Sequence, residues 1–311
     1  MRISKARFAV IVALCGTLCF ASCIGYAASP VQRLIGMEEL LYGAPQEGPV
    51  VGRLESVERA IFGDVGPGTL PERLDRCWSF VQGDRAGSMN LKFKLKAVQW
   101  TMFGRVTEGP IVPTLSNLET SLIGEVQQGS IGTRLDSLLQ LTVPSGRPDV
   151  DYALLPKGTL VKVKLVTAVS SIKSRPGDLV KFEVVDDVIF DGRLLMPAGS
   201  SIEAAIIETV RPTKIGVKAR VDMEFQPIQA MDSSPVTLGV DEIAIGANAN
   251  VALVAGDALR KFSMIGKEGA LGGVLSQNPE LELAQGVECF FSVMQTAKVL
   301  GLAAPAPVTK K

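Results

Sequence analysis

The sequence predicts an α+β protein, with an N-terminal array of short repeated helices followed by a mainly antiparallel β-barrel or sandwich domain. Three observations predict it. An apolar pair closed by glycine recurs at Leu41-Tyr42-Gly43, Ile61-Phe62-Gly63, Met102-Phe103-Gly104 and Leu122-Ile123-Gly124. Between these markers the apolar residues are spaced as on one face of a helix. Beyond residue 150 the spacing changes to the alternation of a strand.

At the amino end, Arg2, Lys5 and Arg7 precede an apolar run from Phe8 to Ile24, the layout of a secretory signal. Residues 1–28 are therefore read as a signal peptide, with Gly25 and Ala27 supplying the small residues for cleavage after Ala27. The stretch Phe20-Ala21-Ser22-Cys23 resembles a bacterial lipobox, so lipid attachment at Cys23 is the alternative to ordinary cleavage. Either route places the chain outside the cytoplasm, in the periplasm or associated with the outer membrane. No other run reaches the roughly 18 apolar residues that a spanning helix requires, which leaves lipidation as the expected means of membrane association.

Residues 29–148 are read as a helical repeat domain of period about 20. Counted from each marker glycine, positions +7, +11, +14 and +18 give Val50, Leu54, Val57, Ile61 and then Leu70, Leu74, Cys77, Val81. Later units give Ile111, Leu115, Leu118, Leu122 and Ile131, Leu135, Leu138, Thr142. Steps of 4, 3 and 4 residues stack side chains on one helical face. Between Gly83 and Gly104 the stripe runs one place late, as Leu91, Leu95, Val98 and Met102, which fits a unit of 21 residues. An incomplete leading unit, Val31, Leu34, Met37 and Leu41, brings the expected helices to six.

The punctuation agrees. Thr69-Leu70-Pro71-Glu72 is a capping box with proline in the first turn, and Gly43, Gly63, Gly104 and Gly124 suit left-handed helix stops. A helix of about 12 residues is only about 18 Å long and marginal alone in water. The stripes, centred on Leu54, Leu74, Leu115 and Leu135, must therefore shelter one another. The array is either a protein-binding surface or a self-packed domain.

Pro144, Gly146 and Pro148 end the helical period, and residues 150–302 are read as a β-barrel-like domain. Strand candidates are Thr159–Val169, Leu179–Val185, Val188–Met196, Ser201–Val210, Gly216–Phe225, Pro235–Ile243 and Leu281–Met294. Turn signals such as Arg175-Pro176-Gly177-Asp178 and Asp191-Gly192 punctuate them. An Ala/Gly-rich insert at 244–276, helical in pattern from Val251 to Phe262, is expected to be flexible or to lie across the barrel mouth. Residues 303–311 are expected to form a disordered tail.

Three corners carry a family resemblance. Leu155-Pro156-Lys157-Gly158-Thr159, Ser174-Arg175-Pro176-Gly177-Asp178 and Leu195-Met196-Pro197-Ala198-Gly199-Ser200 resemble the sheet segments of bacterial envelope barrels. Among these is the outer-membrane channel barrel of type IV secretion and conjugation systems, in which a Pro-x-Gly-(Ser/Thr) corner recurs. The resemblance covers roughly residues 152–245 and implies a β-barrel body. It also implies, as an alternative function, a subunit of an oligomeric envelope transport or secretion assembly. The family's inner-membrane span and long proline-rich arm have no counterpart in this sequence, which favours an envelope barrel over a channel.

The chain contains no histidine, which removes Ser-His-Asp and Cys-His nucleophile systems and the commonest metal ligand. No phosphate loop or dinucleotide fingerprint is present, so no cofactor, metal or catalytic residue is assigned. The acidic neighbours Glu38-Glu39 and Asp186-Asp187 are the remaining candidates for carboxylate chemistry. Outside the signal, 29 basic face 32 acidic residues, a balance that argues against nucleic-acid binding. Cys77 and Cys289, the two cysteines beyond the signal, are expected as buried free thiols. The sequence thus predicts an exported, non-enzymatic envelope protein with a structural or partner-binding role. Its partner is expected to be an envelope protein or a second copy of the chain.

Overall fold

The computed structural model describes residues 29–83, 89–143, 147–211, 218–248, 251–265 and 281–304. The expected signal with Cys23, residues 305–311 of the expected tail, and residues 249–250 and 266–276 of the insert lie outside the described residues.

Six helices follow one another as the repeat requires: α1 (Pro30–Tyr42), α2 (Val50–Phe62), α3 (Leu70–Gln82), α4 (Leu91–Phe103), α5 (Ile111–Ile123) and α6 (Ile131–Thr142). Their starts are chemically defined. The Ser29 hydroxyl accepts from the Gln32 N–H while the Gln32 side chain accepts from the Ser29 N–H, each at 3.2 Å. Glu72 accepts from the Thr69 N–H at 2.8 Å. Asn90 caps α4 by accepting from the Phe93 N–H at 2.8 Å. Their ends are defined by backbone: Gly43, Gly63, Gly104 and Gly124 all adopt left-handed φ, between 66° and 96°, which glycine enters without a Cβ clash. Gly83 leaves α3 with ψ at 140° instead of near zero, and this is the unit that carries the extra residue.

The stripes are buried. Leu54, Leu74, Leu115 and Leu135 are each fully inaccessible, together with Leu34, Met37, Leu41, Val57, Ile61, Cys77, Val81 and Val98. The array curls back on itself, so that α1 packs on α2, α3 and α5, and α2 on α3 and α6. The end of α1 meets the start of α5 closely enough that a Cβ on Gly43 would lie 2.8 Å from Pro110 Cγ. The end of α2 meets the start of α6 in the same way, through Gly63 and Ser130.

The second half is antiparallel. An eight-stranded sheet runs in the order β11 (Leu238–Gly239), β15 (Glu288–Val293), β2 (Leu160–Leu165), β4 (Leu179–Val184), β7 (Ser201–Val210), β8 (Arg220–Phe225), β13 (Lys261–Ile265), β12 (Ala252–Ala255). It is nearly closed: Phe225 of β8 and Phe291 of β15, separated by three strands in the sheet, touch edge to face with centroids 4.5 Å apart. Phe182 and Phe262 complete this cluster. The helix α7 (Glu242–Ala247) packs on both β15 and β12 near the gap. The amide of Asn248, at its end, exchanges two 2.9 Å hydrogen bonds with the backbone of Phe290.

A four-stranded sheet, β1 (Val150–Leu155), β16 (Ala297–Ala303), β6 (Arg193–Met196) and β5 (Val188–Phe190), in that order, lies between the two halves. Side chains alternate across it. Leu195 and Val299 enter the sheet core, whereas Leu194, Leu300 and Leu302 enter the helical core, where Met231 joins them. Short pairs β3 (Val169–Ser170) with β14 (Glu282–Leu283) and β9 (Ile228–Gln229) with β10 (Pro235–Val236) complete the fold.

Several boundaries differ from the sequence expectation. Val188–Met196 is a hairpin, because Asp191 and Gly192 both take positive φ, 50° and 67°, and turn the chain back. Leu281–Met294 is two strands parted by the left-handed Gly286. Val251–Phe262 is not helical: β12 and β13 pair with each other, and β13 with β8, so sheet hydrogen bonding overrides a helix-like spacing in a short Ala/Gly-rich run. Pro235–Ile243 breaks into β10, β11 and the start of α7, and Ala303 belongs to β16 rather than to a tail.

Candidate functional site

Gly43, Gly63, Gly104 and Gly124 stop helices, and Leu54, Leu74, Leu115 and Leu135 fill the core, so these sequence-marked residues are architectural. A second repeated feature links successive helices. The ninth residue of one helix and the fourth of the next, 15 apart, form buried ion pairs: Glu38 with Arg53, Glu58 with Arg73, and Glu119 with Arg134. The closest contacts are 2.5, 2.5 and 2.6 Å, and all three carboxylates are fully inaccessible. Glu38 and Glu119 also accept from the turn N–H groups of Gln46 and Gln127, at 3.0 and 3.2 Å. Glu58 instead receives a second guanidinium, Arg76, at 2.6 Å.

Burial alone would raise the Glu58 carboxyl. The hydrogen bonds and charges of Arg73 and Arg76 outweigh it and hold the group below the ordinary glutamate value. The hydrogen bond to Glu38 likewise raises Arg53, and that to Glu58 raises Arg73. Each pair staples two helices and, for Glu38 and Glu119, the turn between them. The sequence carried the signal as a Glu five places before, and an Arg ten places after, Gly43, Gly63 and Gly124.

Two junctions depart from this rule. Between α3 and α4 the positions hold Trp78 and Lys94, and Lys94 turns instead to Asp136 of α6 at 2.6 Å. Between α4 and α5 they hold Gln99 and Thr114. The Gln99 carboxamide clasps the turn by both its atoms: Nε2 donates to the Thr107 carbonyl and Oε1 accepts from the Thr107 N–H, each at 3.2 Å. Thr114 is too short to cross the junction, and its hydroxyl donates to the Pro110 carbonyl at 2.7 Å. Where an arginine seals the sister junctions, an open cavity of about 470 Å³ remains, lined by Gln99, Phe103, Arg105, Thr114, Asn117 and Ser121, with Thr107 and Leu118 beside them.

The wall of this cavity is anchored on the sheet. In the α4–α5 turn, Val106 N–H donates to the Ala198 carbonyl at 2.8 Å, and Arg105 pairs with Glu183 of β4. The Pro197-Ala198-Gly199-Ser200 corner approaches so closely that a Cβ on Gly199 would lie 1.9 Å from the Val106 carbonyl oxygen. Beside it, Trp100 Nε1–H donates to Asp187 at 2.8 Å, and the other Asp187 oxygen accepts from Ala198 N–H at 2.7 Å. The acidic neighbours expected as a dyad are therefore divided. Glu38 and Asp187 hold the fold, while Glu39 and Asp186 point to solvent. Both thiols are buried and unpaired with each other. Burial pushes Cys77 up to about 11 and Cys289 up to about 12, which leaves little thiolate at neutral pH. Among the described residues no group of three or more acidic or cysteine ligands could hold a metal, and no helix is long and apolar enough to cross a membrane. The chain matches no protein-family model and no curated protein.

Proposed function

We propose that this chain is an exported, non-enzymatic protein of the cell envelope, acting as a rigid structural or partner-holding scaffold. The observation that carries the reading is the use made of its reactive groups: Glu38, Glu58, Glu119 and Asp187 are committed to stapling helices and sheet together. The signal-like amino end, with its basic residues, apolar run and small residues before Ala28, supports export. The partner is an envelope protein or a second copy of the chain.

A second reading, a subunit of an oligomeric envelope transport assembly related to type IV secretion channels, is favoured by the corners. Thr159 Oγ1 donates to the Pro156 carbonyl, and Ser200 Oγ to the Pro197 carbonyl, both at 2.8 Å, so two Pro-x-Gly-(Ser/Thr) corners are built alike. Cell fractionation with intact-mass measurement of the recovered chain tests the first reading. We expect an envelope-associated product beginning at Ala28, or at a lipid-modified Cys23. A full-length chain recovered from the cytosol contradicts it. Sizing of the same product in mild detergent separates the readings, since a ring-sized particle is required by the transport reading alone.

A further inference from the structure

The unsealed junction is legible by comparison with its sister between α2 and α3. There the last residue of the first helix, Phe62, is covered by Phe80, with ring centroids 5.0 Å apart, and by the Arg76 guanidinium, 5.9 Å from its centroid. Arg73, Arg76 and Phe80 are the fourth, seventh and eleventh residues of α3. The corresponding residue of α4 is Phe103, again a phenylalanine, and the fourth, seventh and eleventh residues of α5 are Thr114, Asn117 and Ser121. The aromatic floor is kept, while the two side chains that would cover it and the arginine that would pair beside it are replaced by short, uncharged, polar ones. Phe103 is accordingly 57% exposed.

Neutrality runs through the site. The carboxylate of the sister junctions is a carboxamide here, and Arg105 is engaged by Glu183. Asn117 and Ser121 make no side-chain hydrogen bond within the described residues, and their spacing puts them on one face of α5 with Thr114. This row of hydroxyl, amide and hydroxyl extends about 10 Å along the helix. The volume falls within the roughly 300–1,000 Å³ usual for small-ligand sites.

We infer that the α4–α5 junction is a binding site for an uncharged saccharide of one or two rings. The C–H face of a sugar lies on Phe103, and its rim hydroxyls meet Asn117, Ser121 and the outer lone pair of Gln99. A polyhydroxylated ring supplies both an apolar face and donors and acceptors around its edge, and two rings match the length of the polar row better than one planar base does. The site does not rest on export or on the scaffold role.

The test is titration of the chain from residue 29 onward with maltose, cellobiose and N,N′-diacetylchitobiose. N-acetyl-arginine amide and sulfate serve as charged comparators. Binding is followed by NMR at the Asn117 side-chain amide and the Phe103 ring. We expect at least one disaccharide to shift both signals saturably, and Phe103→Ala to weaken it at least tenfold. The double variant Gln99→Glu/Thr114→Arg, which rebuilds the sister ion pair, should fold with unchanged circular dichroism and lose binding. Phe103→Ala alters an exposed side chain and keeps the test readable should the double variant fail to fold. Absence of any saccharide shift, binding that survives Phe103→Ala, or binding at these signals by arginine amide or sulfate alone overturns the inference.

Discussion

Glu58 shows how much a single side chain holds. It is fully inaccessible and receives two guanidinium groups from the next helix, so its removal leaves the largely buried Arg73 charge without its partner, while the more exposed Arg76 can turn to solvent. Breaking a buried pair in this way costs about 3 kcal/mol or more, whereas an exposed pair such as Glu55 with Arg59 contributes about 0.5 kcal/mol or less. We expect Glu58→Gln to lower the urea-unfolding free energy at pH 7 by about 3 kcal/mol, and Glu55→Gln to change it little. The pH dependence follows from the sign of the shift. The folded carboxyl lies below its ordinary value, so its stabilisation is present above that value and is lost as pH falls through the lowered folded one. The gap between wild type and Glu58→Gln should therefore narrow in unfolding curves measured in acid. A gap that widens on acidification contradicts the assignment. The glycines and leucines were legible in the sequence because each acts within its own helix. The Glu–Arg staples left a regular spacing around Gly43, Gly63 and Gly124, but its meaning depends on which helix lies beside which, so it could be read only once the packing was known.

At the scale of the element, position within the repeat matters less than what covers it. Ile61 and Leu122 occupy the same place in α2 and α5, yet Ile61 is sealed where α6 packs and Leu122 is 39% exposed. Truncating a sealed aliphatic side chain costs about 2–5 kcal/mol. We expect Ile61→Ala to fall in that range and Leu122→Ala to cost about 1 kcal/mol or less. Comparable costs at the two sites, measured by urea unfolding, would show that α5 is covered and the packing order is wrong. Helix existence was readable because a 13-residue stripe samples several turns. Strands of 2 to 5 residues such as β12, β13 and β3 carry too few positions for alternation to show, and their pairing comes from distant partners. The candidate cavity was invisible for a related reason. Gln99 and Thr114 are unremarkable as residues and become informative only as exceptions to a pairing rule that the fold reveals.

For the whole molecule, the four-stranded sheet is the joint. One of its faces completes the helical core through Leu194, Leu300 and Leu302, and the other closes the sheet core through Leu195 and Val299. Hydrogen bonds from Val106 to Ala198, from Lys96 to Ala230 and from Trp100 to Asp187 cross the same seam. The change of period near residue 150 was plain in the sequence, but the sharing of one core across it was not. Helices and sheet should consequently unfold together, as coincident transitions require. The two buried thiols report on this separately, Cys77 from inside the helical array and Cys289 from inside the sheet. The most direct test is pulsed thiol labelling of the chain from residue 29 onward across a urea series, with each cysteine quantified by peptide mass. We expect Cys77 and Cys289 to become reactive at the same urea midpoint. If Cys77 is fully labelled at urea concentrations where Cys289 is still protected, or the reverse, array and sheet are independent bodies and the shared core does not exist.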